Sequence, residues 1–223
     1  MAATSTGTAV EAGPKRRSPS QRRSRERVER ILDTASELIV EDGVPGQGTR
    51  KIAARAGVPV ASIYQYFADV DEIILELVKR DTAEMDKRLA HALGELEIVS
   101  LRGIVTATQE AFFEVYERRP AFVVIWFRGR TNAAVMSFCR AHNEQIATTL
   151  YDFALHAGLL KPGTDSLVAE LAVEVGDRAL ELAFSRDPQG DQRVIDDGRE
   201  MIIGYLERFA TQAGLTGVRP PAH

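Results

Sequence analysis

The 223-residue chain has a single cysteine, Cys139, so no disulfide can close within it, in keeping with a reducing cytoplasm. Its four histidines, His91, His142, His156 and His223, are scattered and lack ligand spacing with that cysteine, so no metal centre is expected. Nothing approaches the run of about 18 apolar residues that a membrane span requires. The opening stretch "MAATSTGTAVEAGPKRRSPSQRRSRERVER" has no apolar core of a signal peptide before its charges. Glycine-rich phosphate loops, Ser-His-Asp groupings and paired carboxylates are missing too, so neither catalytic residues nor a cofactor are expected. Strands with alternating polarity are absent; "FVVIWF" alone has strand-like content, and an isolated strand would leave its edges unpaired. What remains is ordinary for a soluble protein, 44% hydrophobic and 27% charged residues, in a chain long enough to bury a core. A soluble, cytoplasmic, all-α protein is the expectation.

The net charge of −4 conceals an asymmetry. Residues 1–68 hold 11 Lys/Arg and 7 Asp/Glu; subtraction from the totals of 28 and 32 leaves 17 and 25 for residues 69–223. A basic head on an acidic body suggests that only the head meets a polyanion. Ala, Thr, Ser, Gly and Pro dominate the start, so residues 1–23 read as a disordered basic arm.

Helical periodicity fills the rest. "SRERVERILDTASELIVEDG" places Val28, Ile31, Leu32, Ala35, Leu38 and Ile39 on one face, with Ser24 as a candidate N-cap and Gly43 as the stop. Thr49 is a suitable N-cap for "RKIAARA", Gly57 stops that helix, and Pro59 sits near the start of the next. Long amphipathic helices follow over "DVDEIILELVKRDTAEMDKRLAHALGEL", "LRGIVTATQEAFFEVYERR", "TNAAVMSFCRAHNEQIATTLYDFALHAG", "TDSLVAELAVEVGDRALELAFSR" and "DQRVIDDGREMIIGYLERFA".

The stretch "TRKIAARAGVPVASIYQYF" describes two short helices joined by a tight glycine turn, a helix-turn-helix. Ile52, Ala53, Ala56, Val58, Ile63 and Phe67 supply its core. With Ile63 and Phe67 inward, Ala61, Ser62, Gln65 and parts of Tyr64 and Tyr66 face out. Small Ala61 and Ser62 let the helix end sit deep in a major groove, Gln65 can read an adenine edge, and tyrosine hydroxyls can hold phosphates. The plainer reading of each tyrosine alone is half-buried packing.

Together with "ILDTASELIVEDG" and "DEIILEL", this stretch resembles the TetR (tetracycline-repressor-like) family of transcriptional regulators, from about Arg27 to Leu77. The resemblance rests on the Ala-Gly-Val turn and on the spacing of Thr49, Gly57, Tyr64, Tyr66 and Phe67. It implies an N-terminal three-helix bundle with the helix-turn-helix (residues 24–68), then a helical effector-binding and dimerisation domain (69–214) and a flexible tail (215–223). It puts Thr49 at a phosphate-binding N-cap, Arg50 and Lys51 on the DNA side, and Ser62, Tyr64 and Tyr66 at backbone or base contacts. The chain departs from the pattern at Pro59, where a capping serine is common, at Val60, often polar, and at Val70, where a lysine commonly binds phosphate.

The implied protein is a homodimer on a palindromic double-stranded operator, released as a repressor by a small, mostly apolar effector. A DNA-binding regulator without a ligand and a helical enzyme are the competing readings. The dimer seam is expected from Leu171, Val175, Ala179, Leu182 and Ala183 with Ile195, Ile202, Ile203, Tyr205, Leu206 and Phe209. The pocket is expected among Phe112, Phe113, Tyr116, Phe122, Trp126, Phe127, Met136 and Phe138, with Tyr151 beside them. Polar contacts are expected from Arg128, Arg130, Asn132 and His142. Such a cluster of aromatics in an all-α domain also serves as plain core.

Overall fold

The computed structural model describes residues 19–44, 48–128 and 132–219. Most of the expected basic arm, residues 1–18, therefore lies outside the described residues, as do Arg130 and the end of the tail, 220–223; the Arg128 side chain is likewise not described. All the regular elements among the described residues are helical. The first helix, α1, runs Pro19–Asp42, so it begins a turn before Ser24 and takes Arg22, Arg23 and Arg25 with it. Ser24 is not its cap: its hydroxyl donates to the Tyr66 hydroxyl, at 3.1 Å, across the head.

Helices α2 (Thr49–Ala56) and α3 (Val60–Ile63) meet at Gly57, whose φ of 65° is left-handed and natural only to glycine. Its N–H and that of Val58 close α2 onto the Ala54 and Ala53 carbonyls. The cap of α2 is Gly48, with Thr49 its first helical residue, so the helix begins one position earlier than expected. Val60–Ile63 is the only regular turn of α3; Tyr64, Gln65 and Tyr66 wind on more tightly before Phe67 enters the core.

The helix α4 (Val70–Gly94) is capped by the Asp69 carboxylate, which accepts from the Glu72 N–H, while Glu72 accepts in return from the Ala68 N–H. Its 25 residues span about 37 Å, from the end of α3 deep into the rest of the molecule. Helix α5 (Leu101–Arg118) stops at Pro120, which opens the single turn α6 (Pro120–Val123) and a π-helical turn over Val124–Arg128. "FVVIWF" is thus wound rather than extended: Phe122, Ile125, Trp126 and Phe127 are all buried, as an apolar run with no polar face requires. Helices α7 (Ala133–His156), α8 (Leu167–Arg186), α9 (Gln192–Glu207) and the short α10 (Gln212–Thr216) complete the chain.

Two apolar cores result. One joins Ile31, Leu38, Ile52, Ile63 and Phe67 of the head to Leu77, Phe122 and Trp126 without a break. The other, around Leu89, Leu101, Ile146 and Leu159, fills the far end. The tail expected from residue 215 is pinned as far as Val218, which exchanges backbone hydrogen bonds with Val99. Helices α8 and α9 cross where Gly198 faces Ala179, so closely that a Cβ on Gly198 would lie 2.8 Å from that of Ala179. Gly198→Val is therefore expected to wedge the pair apart at a cost of about 1–3 kcal/mol, read as a lower urea midpoint. Unchanged stability would mean that this crossing is loose.

Candidate nucleic-acid interface and interior cavity

The residues expected to meet DNA gather on one face of the head, but not all equally. Arg50, Lys51, Ala61, Tyr64 and Gln65 are exposed, Tyr64 by 56%, and Ser62 is half-buried beside them. The Tyr64 hydroxyl lies 3.1 Å from Thr49 Oγ1, joining the start of α2 to the end of α3 in one polar edge. Lys51 is committed to Asp42 at 2.7 Å, and Arg55 to Glu41 at 2.6 Å, so both pairs lean back toward α1. Tyr66 is half-buried against the core with its hydroxyl on Ser24. Its ring is held by packing, which leaves Tyr64 and Gln65 as the exposed side chains after α3.

The second feature is a cavity of about 160 Å³ lined by α4, α5, α7, α8 and α9. Of the eight aromatic and methionine positions expected to line it, Phe112, Tyr116 and Trp126 do. The others are displaced for simple reasons. Phe122 stacks on Tyr116 and Phe127 on Phe184, filling the core themselves. Phe113 meets Tyr116 edge to face, Phe138 stacks on His142, and Met136 is exposed on α7. Tyr151 lines the cavity, with its hydroxyl donating to the Thr164 carbonyl. Asn132 is the N-cap of α7 and not a cavity residue, whereas His142 is in the wall.

Sequence reading missed the aliphatic residues that make up most of this wall and, apart from Tyr116, Tyr151 and His142, its polar ones. Its polar members are Thr108, Gln109 and Tyr116 on α5, His142, Asn143 and Tyr151 on α7, Asp177 on α8 and Arg199 on α9, with the Trp126 indole beside them. The Trp126 indole donates to Asp177 at 2.7 Å. His142 Nε2 lies 2.9 Å from Asp86, tying α7 to α4. Burial, and then the nearby Asp177 charge, push the Tyr116 hydroxyl pKa far above its ordinary value. Leu101, Ile104, Leu150, Ala154, Val168 and Leu206 are among its apolar members. Polar residues recurring on otherwise buried faces were the available signal.

The expected seam positions also divide. Leu171, Val175 and Leu182 are exposed on α8, together with Met201 on α9. Ala183, Ile195 and Ile203 are buried within the chain, and Ala179, Ile202 and Leu206 line the cavity. Tyr205 and Phe209 pack edge to face.

A helix-turn-helix head on a long connecting helix and a cavity-bearing helical body have the architecture of a regulator of transcription. Comparison with known proteins places it. Residues 31–77 match the family model of bacterial regulatory proteins of the tetR family, and residues 99–210 match the tetracyclin repressor-like C-terminal domain. The chain belongs to the TetR family, whose members are DNA-binding regulators. It is 32% identical over 115 residues to the HTH-type transcriptional activator FasR of Mycolicibacterium smegmatis, covering 49% of this chain and 52% of that one. It is 34% identical over 65 residues to a fatty acid metabolism regulator protein of Bacillus subtilis, covering 29% of this chain and 34% of that one. The chain thus spans about a third to a half of the curated relatives it matches. A solved TetR-family regulator from Streptomyces coelicolor is similar over 82% of this chain and 99% of its own, with 26% identity and a TM-score of 0.67. The fatty acid degradation regulator FadR of Bacillus halodurans shares the fold, with a TM-score of 0.67 at 16% identity over 84% of this chain and 96% of its own. Among the described residues no helix is long and apolar enough to cross a membrane.

Proposed function

We propose that two copies of the chain associate through the outer faces of α8 and α9 and repress transcription from a palindromic operator until a small, mostly apolar effector enters the cavity. The exposed row Leu171, Val175, Leu182 and Met201 supports the pairing, since apolar side chains aligned on adjacent helices favour burial against a second copy. Two heads related by a two-fold axis would offer Tyr64, Gln65, Ala61 and Ser62 to successive major grooves, with Thr49 and Arg50 at the phosphates. The observation that carries the control step is the course of α4: its first turn follows the recognition helix and its Met85 side chain forms part of the cavity wall. A ligand that displaces this wall shifts the head along a continuous helix. The relative named as a fatty acid metabolism regulator supports an effector with an apolar chain.

Ligand and DNA must then oppose each other by the same factor, with a coupling of about 1–3 kcal/mol, roughly 5- to 150-fold. Trp126 is the only tryptophan and lines the cavity, so its fluorescence reports occupancy directly. DNA selected from a random pool provides the operator. A ligand that saturates the tryptophan signal yet leaves operator affinity unchanged would refute the control step. Sedimentation showing only monomers at micromolar concentration with DNA present would refute the pairing. The relative named as an activator favours one second reading, in which the bound dimer promotes transcription; reporter output from the selected operator separates the two.

A further inference from the structure

Resting on the reading of the cavity as an effector site, we infer that its ligand carries an apolar chain ending in an uncharged head with an O–H or N–H to donate, an alcohol being the simplest, rather than an ionised carboxylate. Three buried side-chain polar atoms lack a partner among the described residues, and two of them, His142 Nδ1 and Gln109 Oε1, belong to residues of the cavity wall. Buried polar atoms in native proteins are nearly always paired, so two orphans on one cavity mark where a ligand group belongs. Most of the other polar side chains there are engaged, Tyr151 with the Thr164 carbonyl and Arg199 with Asp196 among them. Thr108 donates to the Ile104 carbonyl, Asn143 to Glu174, and Trp126 to Asp177.

The chemistry of the two orphans is defined by their neighbours. His142 is about 95% buried by its 5% exposure, and its ring is held between Phe138, stacked at 6.1 Å, and Trp126, edge-on at 5.9 Å. Because Nε2 faces the Asp86 carboxylate at 2.9 Å, the proton of the neutral ring is on Nε2 and Nδ1 is left as an acceptor. Gln109 presents its oxygen, and by turning its amide it also offers an N–H. A hydroxyl satisfies both, donating to His142 Nδ1 and accepting from Gln109. A carboxylate brings only acceptors, which satisfy neither His142 Nδ1 nor Gln109 Oε1, and the arginine of the wall, Arg199, is already paired with Asp196.

The rest of the cavity suits a chain. From the level of Tyr116 and His142 its wall runs down α5 to Leu101, about 22 Å along the helix at 1.5 Å per residue. Ile104, Leu150, Ala154 and Val168 line that apolar end. The head is therefore held near Trp126 and the tail points away from the DNA-binding head.

The test uses the full-length protein and three probes of equal chain length: decan-1-ol, decanoate and methyl decanoate, titrated at neutral pH with Trp126 fluorescence and calorimetry. The alcohol is expected to bind on the order of tenfold more tightly than either of the others, the price of leaving buried polar atoms unpaired. In Gln109→Leu and His142→Phe the preference for the alcohol should fall to about twofold or less, with binding of the methyl ester retained. Gln109 is only half-buried, so its variant keeps the test sound if His142→Phe does not fold. Decanoate binding as well as or better than the alcohol overturns the inference and makes His142 an anion receptor in its protonated form. Equal binding of all three overturns the head-group assignment and leaves the effector cavity standing. Binding by none overturns the cavity reading itself.

Discussion

Replacing Gln65 by alanine is expected to flatten base preference at one position of each half-site and to weaken specific binding by about 1–3 kcal/mol per head, roughly 2–6 kcal/mol for the pair. The argument is one of geometry. Ile63 and Phe67 are buried, so the turn between them points Tyr64 and Gln65 outward, and Gln65 alone of the two carries both a donor and an acceptor on one planar group. Tyr64→Phe should behave differently. It removes a hydroxyl paired with Thr49, so it should weaken binding to every sequence by a similar, smaller factor if that edge rests on a phosphate. Affinities of both variants for the selected operator and for single-base changes of it separate these effects. If both keep wild-type affinity and specificity, α3 is not the reading helix.

The head was legible in the sequence because its constraints are local. A left-handed turn at Gly57, small residues at the α2–α3 crossing and an alternation of inward and outward residues after Pro59 each demand particular residue types at fixed spacing. Spacing could not show which outward groups are spent inside the molecule. Lys51 is held by Asp42 and Tyr66 by Ser24, through contacts between residues 9 and 42 positions apart. The cavity was less legible for a related reason. Aromatic side chains stack on one another and fill space, as Phe122, Phe127 and Phe184 do, so their density points to core and not to void. The void lies where aliphatic faces of α5, α7, α8 and α9 stand apart, a property of helix placement that no single segment encodes. The segment Pro120–Arg128 gave no period because it has no polar face, and only its place against α1 and α8 decides how it winds.

The largest effect on stability is expected away from both sites, where α1 meets α4. Asp81 on α4 is 1% exposed and is faced by two guanidinium groups, Arg80 at 3.2 Å and Arg119 at 3.7 Å. Arg80 also reaches Asp33 at 2.8 Å and Glu29 at 3.4 Å on α1, but these carboxylates are about 60% exposed, and such pairs contribute little. Burial pushes the Asp81 carboxyl above its ordinary value, and Arg80 foremost pulls it back. Arg80→Met keeps an apolar stem and removes that charge, leaving the buried carboxylate to the more distant Arg119 at a cost of up to about 3–5 kcal/mol at neutral pH. The sign with pH follows from linkage. An acid whose folded pKa lies above its unfolded value favours folding below the unfolded value and loses that contribution as pH rises through the folded one. The variant raises the folded value further, so its deficit against wild type should shrink as pH falls toward the ordinary carboxylate range of about 4. Arg80→Met combined with Asp81→Asn should recover most of the loss at neutral pH. Chemical denaturation of the four proteins of this cycle across pH measures the coupling. A deficit that is constant with pH and persists in the double variant would assign the loss to the packing of the arginine stem instead of the charge.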